Sequence, residues 1–317
     1  GITYSDEARR GFECTEDLFV PGSFSVTMAP GDSVIFSAST KEVAPRTMAK
    51  KFADAIDSFG EITSYHDQLV HCADLLKRNL NGRKQITAGF SWLYTGLLRE
   101  TLMSLPGLTL YANGDAAEFE EILDNLIEDN QERLFHRTTQ VEAPLTLPTV
   151  LQSYIEFGAD ARKVWRKYGD TVKGIIASYA PGQRKEVSLQ PNGLLWAQYD
   201  RTALTWMNAY IDGYPVTERA GYQVETNAFW YNMICFAVDM EAKYGTAATF
   251  VREWKAIRDL VRSNYRKTFW NEGRGCLADY VDNNGQNMDI RPNQLIAIWV
   301  GNSPVDEELH PSIFRVI

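Results

Sequence analysis

Chemistry is expected in three long segments of this chain. Residues 86–96, 181–224 and 271–290 are rich in Gly, Trp, Tyr, Asp and Asn. Long ordered loops on a scaffold commonly carry function. The second segment holds Trp196, Trp206, Met207, Tyr210 and Tyr214, a set too apolar for a free loop. Aromatic faces are the usual stacking surface for sugar rings, although large helical cores also consume Trp. The same segment carries Asp200, Asp212, Glu218 and Arg219. Arg219 could clamp a neighbouring carboxylate or a sugar hydroxyl, or simply neutralise local acid. Glu225 opens a helix, where exposed amides favour a carboxylate, so it reads equally as a capping charge or a sugar contact. Arg291 and Asn293 open a later helix and read as caps or loop braces.

Other chemistries find less support. Cys14, Cys72, Cys235 and Cys276 lie far apart without metal-ligand spacing and read as reduced thiols. His66 and His71 are five apart, off a common helix face. Neither a nucleotide loop nor Ser-His-Asp spacing appears, and no metal or other cofactor is implied. A formal charge of −9 disfavours a nucleic-acid partner, which asks for a basic stripe. It suits a neutral ligand.

The elements that would position these residues are mainly helical. With 44% hydrophobic and 23% charged residues, the 317-residue chain can fill one large core or two ordinary ones. Residues 19–40 alternate apolar and polar around Ala29-Pro30-Gly31-Asp32, which predicts a β-hairpin. From about residue 46 the period turns helical, with one long apolar stripe broken near Gly60. Further helices are expected at about 97–112, 116–129, 145–157, 160–179, 224–244, 247–269, 291–299 and 306–317. Trp230 lies inside a helical stripe and is assigned to the core. The lack of a fixed-length repeat disfavours a simple solenoid. No apolar run approaches a membrane span. The opening residues do not read as a signal peptide, so the expected location is cytoplasmic. Gly1 in place of Met suggests an internal start, and the apolar stop at Phe314-Arg315-Val316-Ile317 suggests that the natural protein continues.

Four stretches resemble the amylo-α-1,6-glucosidase part of glycogen debranching enzymes. They are Ala88-Gly89-Phe90-Ser91-Trp92 with Arg99-Glu100-Thr101 and Leu105-Pro106-Gly107-Leu108; Leu204-Thr205-Trp206-Met207-Asn208-Ala209 with Asp212-Gly213 and Pro215-Val216-Thr217; Arg219, Gly221 and the run from Val224-Glu225-Thr226-Asn227 to Trp230-Tyr231-Asn232; and Arg291-Pro292-Asn293-Gln294-Leu295. The resemblance runs from about residue 85 to 300. It implies an (α/α)6 toroid, here truncated, over residues 46–317. It also implies that residues 1–45 are the tail of an N-terminal β-sandwich. A toroid short of its last helices would expose apolar helix faces, which predicts self-association, a gap filled by a neighbour, or a rearranged end.

The reaction implied by the resemblance is removal, with inversion, of single glucose stubs at α-1,6 branches of glycogen-like glucan. The expected ligands are glycogen, limit dextrin and maltooligosaccharide. Inverting hydrolysis needs one carboxyl to protonate the leaving oxygen and another to activate water, about 6.5–9.5 Å apart. At the family's acid position this chain has Asn208, and an amide cannot deliver that proton. Asp200, Asp212 and Glu218 are the replacement candidates. The general base is expected beyond Ile317. The family's glucose-holding Arg-Asp pair is Arg99-Glu100 here, and Glu142 stands where the family often has aspartate. Trp92, Trp206, Arg219 and Glu225 complete the expected sugar site. The rival expectation is an α-glucan-binding relative that has lost its proton donor.

Overall fold

The computed structural model describes residues 1–9, 11–58, 60–88 and 97–317. It divides into two compact units, residues 1–75 and residues 76–317. Trp92 lies outside the described residues.

The first unit has little core. Strands β1 (Ile2–Thr3) and β2 (Thr15–Glu16) pair antiparallel around the short helix α1 (Ser5–Arg9). Helices α2 (Met48–Ser58) and α3 (Tyr65–Leu75) follow. The break between them falls near Gly60, whose φ of 70° suits glycine. The hairpin expected at 19–40 is not formed: no strand lies in that segment. Its apolar side chains stay largely uncovered among the described residues, apart from the edge contact of Phe24 with Phe36. Phe19 and Phe24 are 90% and 89% exposed, and two strands alone are marginal in water.

The second unit is mainly α, and its helices pack as hairpins. It opens with a β-hairpin that the periodicity did not reveal, β3 (Lys77–Leu80) with β4 (Arg83–Ile86). Then come α4 (Leu98–Pro106), a π-helical turn over Gly107–Tyr111, α5 (Ala116–Asp129) and the short α6 (Gln131–Phe135). Next are α7 (Leu147–Glu156), α8 (Ala161–Ser178), α9 (Val224–Tyr244) and α10 (Ala248–Phe269). The last are α11 (Asn293–Trp299) and α12 (His310–Val316). Asp115 and Asp160 start α5 and α8 by accepting backbone N–H bonds in the first turn.

Helix α9 is the axis of this unit. It is apolar nearly all round, from Val224 through Ala228, Trp230, Met233 and Ala237, and it packs on α7, α8, α10 and α11. Trp230 is fully buried and donates its indole N–H to the Gly193 carbonyl at 3.0 Å. The three-residue link to α10 is held by Glu241. One oxygen accepts the N–H groups of Thr246 and Ala247, each at 2.8 Å, and the other accepts Trp165 Nε1 at 3.0 Å and Lys173 Nζ at 3.2 Å.

The long segment between α8 and α9 is built from small hairpins. Strands β5 (Val187–Leu189) and β6 (Leu195–Ala197) pair, as do β7 (Tyr210–Ile211) and β8 (Tyr214–Pro215). Strand β9 (Tyr222–Gln223) runs straight into α9. After α10, β10 (Trp270–Asn271) pairs with β11 (Cys276–Leu277). Strand β12 (Tyr280–Asp282) pairs on one side with β13 (Gly285–Asn287) and on the other with β9. That last pairing brings the segment after α10 against the start of α9. Among the described residues no helix is long and apolar enough to cross a membrane.

Candidate active site

The β9–β12 pairing builds a buried charged cluster. Gly221, at φ 108°, permits it: a Cβ there would lie 2.3 Å from the Val281 carbonyl oxygen. Val224 N–H then donates to the Asp279 carbonyl at 3.1 Å, which sets Asp279 beside the first turn of α9. Arg219 occupies the gap between two acids. Its Nη1 and Nη2 reach the two oxygens of Glu225, the latter bond at 2.7 Å. Its Nε and Nη2 reach Asp279 Oδ2 and Oδ1 at 2.9 and 3.0 Å. The side chains of Glu225 and Asp279 are completely buried. Burial alone would lower the Arg219 pKa, but Glu225 and Asp279 hold it above its ordinary value.

Arg219 clamps carboxylates, and both oxygens of Glu225 are taken by that clamp. Arg291 Nη1 also bonds Asp279, and Asn293 Nδ2 donates to Asp279 Oδ1 at 2.6 Å, so both are loop braces. Asn293 Oδ1 accepts the Trp206 indole N–H at 2.9 Å, while Trp206 stays 41% exposed. Arg219 Nη1 additionally donates to Thr205 Oγ1 at 3.1 Å.

A second acid cluster adjoins the first. Arg99, from α4, donates to Glu142 Oε1 at 3.0 Å and, through Nε at 3.1 Å, to Glu100 Oε1. Glu142 precedes α7 on a segment tied to the Trp206 loop, since Val141 N–H donates to the Leu204 carbonyl at 2.9 Å. Burial pushes the Glu142 carboxyl up to about 7; Arg99 pulls it down and Glu225 adds to the rise. Glu142 Oε2 and Glu100 Oε2 are buried without a hydrogen-bond partner among the described residues.

The residue at the expected acid position and its replacement candidates lie at the surface. Asn208, Asp200, Asp212 and Glu218 are all exposed. Asp212 and Gly213 form the two-residue turn between β7 and β8, both with positive φ, at 51° and 79°. That is the turn type an Asp-Gly pair favours. Asp200 takes a left-handed turn position at φ 47°. The residue missed in the sequence is Asp279. The 271–290 segment was marked as functional by composition, but the link from Asp279 to Arg219 spans sixty residues and exists only once β12 lies beside β9.

Two rhamnosidase structures show a likeness to this chain. One, "rhamnosidase from Klebsiella oxytoca with rhamnose bound", is 11% identical with a TM-score of 0.36, covering 56% of this chain and 30% of that one. The other, the GH78 family rhamnosidase of Bacillus sp. GL1, is 15% identical with a TM-score of 0.46, covering 68% of this chain and 22% of that one. The chain thus spans under a third of the length of either. No curated protein sequence matches it. The family model for glycogen debranching enzyme N terminal matches residues 1–35. The model for amylo-alpha-1,6-glucosidase matches residues 67–317, most of the chain, and the chain therefore belongs to the amylo-alpha-1,6-glucosidase family.

Proposed function

We propose that this chain supplies the sugar-binding frame of a glycoside hydrolase that removes α-1,6-linked glucose stubs from glycogen-like glucan with inversion. One observation carries the reading. Glu100 and Glu142, held by Arg99, each keep a buried oxygen without a partner among the described residues. Buried polar atoms are ordinarily satisfied, and a sugar hydroxyl is a donor of the right kind. Trp206, braced by Asn293 and partly exposed, offers a ring for the sugar face. Asn208, Asp200, Asp212 and Glu218 lie in the loop where a leaving-group proton would be delivered. A general acid must hold its proton near neutral pH, which burial ordinarily arranges.

The exposure of those four residues favours a second reading, an α-glucan-binding relative without its proton donor. Glucose release from limit dextrin, by the protein carrying this chain and by its Asn208→Asp variant, separates the two. If a replacement acid operates, the parent turns over and the substitution changes little. If the donor is lost, the parent binds maltooligosaccharide without turnover, and Asn208→Asp raises the rate by about 10²–10⁴. Absence of both binding and turnover in both proteins would reject the glucan assignment.

A further inference from the structure

Trp206 is held from two sides, and both routes lead to Asp279. The indole N–H needs an acceptor, and Asn293 provides one only while its amide oxygen faces the ring. The opposite end of that amide, Nδ2, donates to Asp279 Oδ1 at 2.6 Å and lies 3.5 Å from Met207 Sδ. A carboxylate accepts and does not donate. An inverted Asn293 would therefore set oxygen against oxygen at Asp279 and donor against donor at Trp206. The second route runs through Arg219, which bonds Asp279 and also Thr205, the residue before Trp206. Asp279 itself has no freedom: its side chain is fully buried, and Arg219, Arg291 and Asn293 all donate to it.

We infer that Asp279 is a positioning residue that fixes the tilt of the Trp206 ring through the amide of Asn293 and the guanidinium of Arg219. The sugar-stacking use of that ring rests on the function proposed above; the positioning does not. Asp279 touches no ligand on this account. It sets the angle of a platform that does.

The test reads Trp206 directly in the full chain. The indole N–H resonance of Trp206 is assigned by its disappearance in Trp206→Phe. In Asp279→Asn, either end of the new amide can face Asn293, so the Trp206 signal should shift and broaden. A signal unchanged from the parent would overturn the inference. Should Asp279→Asn fail to fold, Asn293→Asp serves instead. It keeps an acceptor for the indole but sets a second carboxylate against Asp279, so the Trp206 signal should again move. An unmoved signal there would overturn the inference equally. Maltooligosaccharide binding is measured separately, and its dissociation constant should rise about tenfold in Asp279→Asn, the scale of one aromatic contact. If the signal moves but the parent binds no glucan, the sugar reading fails and the positioning stands. If the parent binds glucan and the signal is fixed, the positioning fails.

Discussion

The start of α9 and the β7–β8 hairpin lie on either side of Arg219 in sequence, and they are opposites. At the start of α9, Glu225 and Asp279 are buried, and a guanidinium answers both. Across the hairpin loop, Asn208, Asp212 and Glu218 are exposed, and the backbone turns on Asp212-Gly213 chemistry alone. The first region is a frame whose charges are locked to one another. The second is a carrier of exposed polar and acidic side chains that contribute little to holding the fold.

The sharpest way to break that contrast is to unlock the frame. Arg219→Met leaves Glu225 buried without its cation and Asp279 with Arg291 alone, and should cost about 3–5 kcal/mol. Chemical denaturation would read this as a large fall in midpoint; a loss below about 1 kcal/mol would show that the two acids find other partners. Next in size is Gly221→Ala. The new Cβ would collide with the Val281 carbonyl, and the φ of 108° disfavours any side chain. A cost of about 1–3 kcal/mol is expected in thermal unfolding, with the β9–β12 pairing as its origin.

Glu142 gives a smaller, pH-dependent effect. Its carboxyl is raised from 4.5 to about 7 by burial, against the pull of Arg99. The folded protein therefore binds the proton more tightly than the unfolded chain does. This contribution to stability is full below pH 4.5 and is lost as the pH climbs to about 7. Glu142→Gln should flatten that part of the profile, by about 2–4 °C in Tm for each kcal/mol removed. Melting curves at the two ends of the window check it, and parallel profiles for parent and variant would refute it. The smallest effect belongs to the carrier. Asp212→Asn keeps a residue that tolerates left-handed φ, and should shift stability by no more than about 0.5 kcal/mol. If the same substitution abolished glucose release, Asp212 would be the replacement acid and the hairpin would be functional without being structural.

Much of the frame was legible in the sequence because it is local. The apolar stripes of α5, α8, α9 and α10 place those helices within a residue or two of where they fold, since 3.6-residue periodicity is written in adjacent turns. Arg219, Glu225, Asn293 and Trp206 were legible by resemblance, and their geometry joins them. What could not be read depends on distant pairing. Asp279 enters the site only through the β9–β12 register. The β3–β4 hairpin was hidden because Lys77–Leu80 and Arg83–Ile86 are too polar to alternate visibly. The opposite error occurred at 19–40, where clean alternation promised strands. Alternation states which face wants burial, and among the described residues that face stays exposed.

The Glu241 staple between α9 and α10 bears on how the chain acquires its shape. A side chain that bonds backbone five and six residues ahead closes its loop at small entropic cost. The longest two helices can therefore meet before any distant strand has found its register, and local contacts of this sort form quickly. The α9–α10 hairpin is then the natural nucleus, with the Arg219 cluster assembled late, when β12 arrives. Glu241→Gln should slow refolding more than it speeds unfolding, and Asp279→Asn should do the reverse. Stopped-flow measurements on the two variants would give the order in which scaffold and site appear.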